Sequence, residues 1–163
     1  MAVKNTVHVP LVDLTATQRL ACELAELLQP GDTLVLSGEL GSGKTALAQH
    51  ICACWGISDV VSPTFILLQS HQGRYQVHHL DLYRLKHEAE LDDLGWAQLA
   101  GGDAVVLVEW LDRFPNAYPQ DYLEVHLQYA AAASKGRLAT VSGGGKRGRG
   151  LLEGLKSYVT SSD

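Results

Sequence analysis

Apolar and polar positions alternate in two rhythms along the chain. Between 15 and 31, "TATQRLACELAELLQPG" sets Leu20, Leu24, Leu27 and Leu28 on one helical face before Pro30 and Gly31 end the run. Thr15, with Gln18 three residues on, predicts a capping box at its start. A second helix is expected over "TALAQHICACWG", closed by Gly56. Short apolar runs bounded by turn residues, "DTLVLSG" at 32–38 and "AVVLVEW" at 104–110, predict buried strands. "TVHVPLV" at 6–12 reads as a strand whose proline suits a sheet edge.

Other segments predict hairpins. "FILLQSH" and "YQVHHLDLY" flank Gln72, Gly73 and Arg74, and "DYLEVHLQY" alternates over 121–129 with "GRLATVSGG" as its returning partner. "KHEAELDDLGWAQLAGG" reads as a helix broken at Gly95, and "LLEGLKSYV" as a short closing helix. Helices interleaved with buried strands predict an α/β fold, a mixed sheet sandwiched between helices. At 163 residues the whole chain, 1–163, is expected to form a single domain.

One loop changes the picture from architecture to chemistry. Gly38, Glu39, Leu40, Gly41, Ser42, Gly43, Lys44 and Thr45 match G-x-x-x-x-G-K-[ST] in full, between a predicted buried strand and a predicted helix. Glycines let the backbone wrap so that its amides point at phosphate oxygens, and the following helix N-terminus favours negative charge. Lys44 is expected to reach the β and γ phosphates, and Thr45 to offer its hydroxyl to magnesium. This makes the chain P-loop NTPase-like. Magnesium in such sites usually also needs a carboxylate at the end of a neighbouring apolar strand, and Glu109 ends "VVLVE".

"HHLDLYRL" at 78–85 admits three readings. Alternation places His79, Asp81 and Tyr83 on one face and His78, Leu80 and Leu82 on the other. His79 and Asp81 could ligate a transition metal, they could line a solvated strand face, or Asp81 could act near the γ-phosphate. "SPTF" at 62–65 is equally open. Pro63 biases Ser62 towards extended structure, so Thr64 is either presented to phosphate or magnesium or simply belongs to a loop before a strand.

Composition removes several classes of function. With 46% hydrophobic and 19% charged residues the chain is expected to fold, and a net charge of -5 does not favour direct binding to a nucleic-acid backbone. "GGGKRGRG" at 143–150 is the local exception, read as a flexible basic loop with a docking patch as the alternative. Three cysteines, Cys22, Cys52 and Cys54, without a CxxC pair read as small buried apolar residues in a reducing compartment. No stretch has signal-peptide or membrane-spanning character, so a cytoplasmic location is expected. Asp92-Asp93-Leu94-Gly95 matches D-x-x-G but sits in a polar helical stretch, and no N-K-x-D guanine-reading motif is present. A small-molecule kinase usually brings several lid arginines, whereas only Arg74 and Arg84 lie between the P-loop and Glu109.

Taken in order, "GELGSGKT", "SPTF", "HLDLYRL" and "LVEW" resemble the TsaE (YjeE) family, small bacterial P-loop ATPases that serve threonylcarbamoyladenosine synthesis in tRNA. The resemblance implies a mixed sheet between helices carrying ATP or ADP with magnesium. It also implies TsaB and TsaD homologues as partners, with ATP hydrolysis resetting their complex and tRNA touched only indirectly. Carried onto this chain, Gly41 to Thr45 hold phosphate and Thr45 and Glu109 serve magnesium. Thr64 and Asp81 sit near the γ-phosphate, Asp81 as the residue orienting or deprotonating the attacking water, and Trp110 lies near the nucleotide. A small-molecule kinase and a nucleotide-switched binding module are the rival functions.

Overall fold

A computed structural model of the chain describes residues 5–60, 67–131 and 136–161. Seven strands form one sheet: β1 (Thr6–Leu11), β2 (Thr33–Gly38), β3 (Leu68–Gln72), β4 (Gln76–Asp81), β5 (Val105–Glu109), β6 (Tyr122–Tyr129) and β7 (Arg137–Gly144). Their order is β1-β7-β6-β2-β5-β4-β3. The centre, β6-β2-β5-β4, is parallel throughout, whereas β7 and β3 run antiparallel to their neighbours. The sheet is therefore mixed. Pro10 lies in β1, at one edge, where its missing donor costs the sheet least.

Both faces of β2 and β5 are buried, as their apolar runs require. Leu34, Leu36, Val105 and Leu107 point towards α1 (Leu14–Leu27), α2 (Lys44–Cys54) and α5 (Gly145–Ser161). The alternate residues Val35, Val106 and Val108 meet Leu91, Trp96, Leu111 and Phe114 on the other face. That second cover is made of short pieces: α3 (Glu90–Asp93), α4 (Trp96–Leu99) and 3₁₀ turns at Leu111–Arg113 and Pro115–Ala117. Gly95, with φ 71°, breaks the helix between α3 and α4 at the predicted place. The helices of the first face do most of the burying, with Leu20, Leu24 and Leu28 of the α1 segment almost fully enclosed.

Three expectations change. Helix α1 is capped by Asp13, whose carboxylate accepts from the Ala16 amide at 2.8 Å, so the cap falls two residues before Thr15. The chain turns as soon as it leaves β1, and aspartate serves that position directly. "GGGKRGRG" is not a flexible loop: Gly143 and Gly144 end β7, and the remainder forms the first turns of α5. Its glycines allow close approach, since a Cβ on Gly148 would lie 2.1 Å from the Tyr122 carbonyl oxygen. Arg147 in this stretch clamps Asp32, donating from Nε and Nη2 at 2.9 and 2.8 Å. Finally, only Cys52 is buried; Cys22 and Cys54 are exposed, with their sulfurs 3.0 Å apart between α1 and α2.

Candidate functional site

Strands β2, β5 and β4 end together. Their register sets Leu36 beside Glu109, and Glu109 beside Asp81. Carboxyl ends of parallel strands are where α/β folds open clefts, because the chain leaves there in diverging loops. The loop 38–43 departs from β2 through Gly38, whose φ of +133° and near approach to the Leu127 carbonyl leave no room for a side chain. It delivers the chain into α2, whose first amides have no helical partners and point to the loop's concave side.

Lys44, the first residue of α2, is buried. Its Nζ donates to the carbonyls of Gly38 and Glu39, each at 2.8 Å, and lies 4.1 Å from the centre of the Trp110 ring. Burial lowers its pKa, while the negative charges of Glu109, Asp81 and Asp112 pull the other way. The ammonium thus remains close to three carboxylates and to the mouth of the loop.

Glu109 is 2% exposed, yet both its oxygens are engaged. Oε1 accepts from the Thr45 hydroxyl at 2.8 Å, and Oε2 lies 2.7 Å from Nε2 of His79. A hydroxyl and a carboxylate so placed are hard oxygen donors. They suit magnesium, which takes one or two protein oxygens and completes its shell with phosphate and water. Asp81, at the end of β4, accepts from the Tyr83 amide at 3.0 Å, a local turn that closes the strand. Burial raises its pKa, the Tyr83 hydrogen bond opposes that shift, and Glu109 adds to it.

Trp110 follows Glu109 with φ 69°, the one left-handed non-glycine backbone among the described residues. Its ring tilts against Tyr83 at 5.0 Å between centres. Arg113 donates to the carbonyls of Leu82 and Tyr83, which ties the two strand exits together. On the other side, the Tyr129 hydroxyl donates to the Gly41 carbonyl at 3.1 Å, and the Arg137 guanidinium lies 4.0 Å from the Tyr129 ring centre. Between these walls lies a cleft of about 430 Å³, bounded by Gly41, Lys44, Thr45, Asp81, Glu109 and Trp110. That size falls in the range of small-molecule sites.

The structure therefore gathers the loop Gly38–Thr45, Asp81, Glu109 and Trp110 at one place. Leu40 and Glu39 stand exposed on the loop's tip. Thr64 and the rest of "SPTF" lie outside the described residues. His79 departs from expectation: it is neither solvated nor paired with Asp81, but fully buried against Glu109. The reason is that its side chain shares a face of β4 with Val77, which packs into the core beneath the helices. Arg113 and Tyr129 were not legible, since Arg113 reaches back from the turn after β5 to the exit of β4, and Tyr129 reaches the loop from the end of β6.

Comparison with known proteins identifies the family and the fold. The family model described as threonylcarbamoyl adenosine biosynthesis protein TsaE matches residues 11–138. Among proteins named tRNA threonylcarbamoyladenosine biosynthesis protein TsaE, that of Bacillus subtilis is 33% identical over 149 residues, covering 90% of this chain and 92% of its own length. That of Nostoc sp. is 34% identical over 140 residues, covering 83% and 86%. That of Rickettsia felis is 36% identical over 115 residues, covering 69% and 67%. The crystal structure of Bacillus subtilis YdiB is similar in fold, with a TM-score of 0.81 at 26% identity over 97% of this chain and 99% of that one. The P-loop, Asp81 and Glu109 all fall within the matched span, and the chain belongs to the TsaE family, which is named for the biosynthesis of threonylcarbamoyladenosine in tRNA.

Proposed function

We propose that this chain is a magnesium-dependent ATPase that acts with TsaB and TsaD homologues in the cytoplasm, hydrolysing ATP to reset their complex between rounds of tRNA threonylcarbamoylation. The observation that carries this reading is the convergence of Lys44, Asp81 and Glu109 at the ends of three adjacent parallel strands, around a complete phosphate-binding loop.

In this reading the amides of Gly41 to Thr45 hold the β and γ phosphates, and Lys44 exchanges the Gly38 and Glu39 carbonyls for phosphate oxygens. Thr45 and Glu109 would hold magnesium, which would supply charge neutralisation to the phosphates. Asp81 orients the attacking water and accepts its proton, a role that its raised pKa favours. Thr64 is assigned to the same γ-phosphate region. Trp110 walls the cleft beside Lys44. The hollow on the far side of the loop, about 240 Å³ and lined by Val12, Leu14, Gly43 and Arg137, is assigned to the base. Leu40 and Tyr83, 71% and 50% exposed at the cleft's rim, offer apolar surface to a protein partner. The partners, in turn, carry the contact with tRNA.

The test is reconstitution of threonylcarbamoylation with purified TsaB and TsaD homologues, with and without this chain. Multiple-turnover modification is expected to need the wild-type chain and to fall at least ~100-fold with Lys44→Ala. Sustained turnover in the chain's absence would sink the assignment.

A further inference from the structure

We infer that His79 is a positioning residue, whose ring fixes the Glu109 carboxylate in the orientation that lets it share a divalent cation with Thr45. The inference rests on the nucleotide–magnesium reading above.

His79 and Glu109 are diagonal neighbours across two parallel strands. In the register of β4 and β5, His79 lies opposite Leu107 and Asp81 opposite Glu109, so His79 and Glu109 project from the same face two positions apart. The contact is wholly enclosed, with exposures of 0% and 2%. A glutamate at a strand end has three rotatable side-chain bonds, and one hydrogen bond from Thr45 would leave the carboxylate free to swivel. A second, on the other oxygen, removes that freedom. The two contacts divide the work: Thr45 sits on the helix that follows the phosphate loop, whereas His79 sits on the rigid sheet.

The remaining polar atom of the ring makes the same point. Among the described residues, the buried Nδ1 of His79 has no hydrogen-bond partner. Among those residues Nε2 carries the only polar contact of the ring, and that contact is directed at Glu109. The preceding member of the same strand face, Val77, is apolar, and a hydrocarbon at position 79 would fill the space without that cost. The polar ring is explained by what it does to Glu109. Partners of this kind, which orient a ligand without touching the metal, change metal affinity strongly when removed.

A pair of variants isolates the effect. Glutamine places its amide nitrogen where the ring carries Nε2, and asparagine places it where the ring carries Nδ1. The probe is Mn2+ binding in the presence of ADP, read by electron paramagnetic resonance, alongside ADP binding in EDTA. With His79→Asn the Mn2+ affinity is expected to fall about 10–100-fold, and with His79→Gln to stay within about threefold of wild type, with metal-free ADP binding unchanged in both. Equal behaviour of the two variants, or an unmoved Mn2+ affinity in His79→Asn, overturns the inference, as does a parallel loss of metal-free ADP binding.

Should His79→Asn fail to fold, His79→Ala with added imidazole takes its place. Restored Mn2+ binding then supports the inference and no restoration overturns it. A wild-type chain whose ADP binding shows no response to Mn2+ would overturn the nucleotide–magnesium reading as well. A responsive wild type with an unaffected His79→Asn overturns the positioning role alone.

Discussion

Two buried carboxylates stand at opposite ends of the central strand β2, and they are treated differently. Asp32, just before the strand, receives a two-pronged clamp from Arg147 and a third hydrogen bond from the Gln29 amide at 2.8 Å. Glu109, beside the strand's other end, receives a hydroxyl and an imidazole, while the nearest ammonium, Lys44, is turned to backbone carbonyls. The first acid is neutralised by a permanent cation and locks α5 to the base of the sheet. The second is held in place but not neutralised by a direct ion pair with Lys44. One arrangement stores stability, and the other keeps negative charge available where a cation and phosphate would meet.

Substitutions should separate these two regimes. The largest effect is expected at the cleft: Asp81→Asn keeps a carbonyl oxygen for the Tyr83 amide but loses the proposed base. Phosphate release in the presence of the partner proteins should fall roughly 10²–10⁴-fold with ATP binding and melting temperature preserved. A rate within a few-fold of wild type would remove Asp81 from the chemistry. At the other end, Arg147→Ala should leave the rate per folded molecule intact. It strands Asp32 in a buried site, at a cost of about 2 kcal/mol, less than for a fully enclosed pair because the arginine is 44% exposed. The melting temperature should drop by roughly 4–8 °C, measured by calorimetry. If the rate per folded molecule fell instead, the division between storage and availability would be wrong. The smallest effect is expected for Tyr129→Phe, which removes one hydrogen bond to the phosphate loop, worth about 1 kcal/mol or less. The KM for ATP should rise by less than about tenfold, with little change in kcat.

Much of this was legible because it is local. The phosphate loop is contiguous, Glu109 ends a strand marked by its apolar run, and Asp81 ends one marked by alternation. The pairing of His79 with Glu109 was not legible, because it depends on β4 lying inside the sheet and on the register of two strands separated by more than twenty residues. Read by itself, "HHLDLYRL" alternates like a half-solvated strand. Only the core packed over the face it shares with Val77 explains why a histidine there is dry. The glycine tract at 143–150 misled for a related reason. Glycine marks either freedom or crowding, and here Tyr122 crowds both Gly144 and Gly148, which no nearby residue reveals. The cap of α1 was misplaced because Asp13 and Thr15 both suit helix starts, and the end of β1 decides between them.

The stacking of Lys44 on Trp110 has an optical consequence. The chain has three tryptophans; Trp55 and Trp96 are buried in the two cores, 3% and 6% exposed. Trp110 alone has its indole beside the ammonium of the phosphate loop. Moving that charge from the ring towards a bound nucleotide would change the electric field across one fluorophore and leave the other two as internal references. The protein thus carries its own emission reporter for the state of Lys44, one that needs no label and that a Trp110→Phe control would silence.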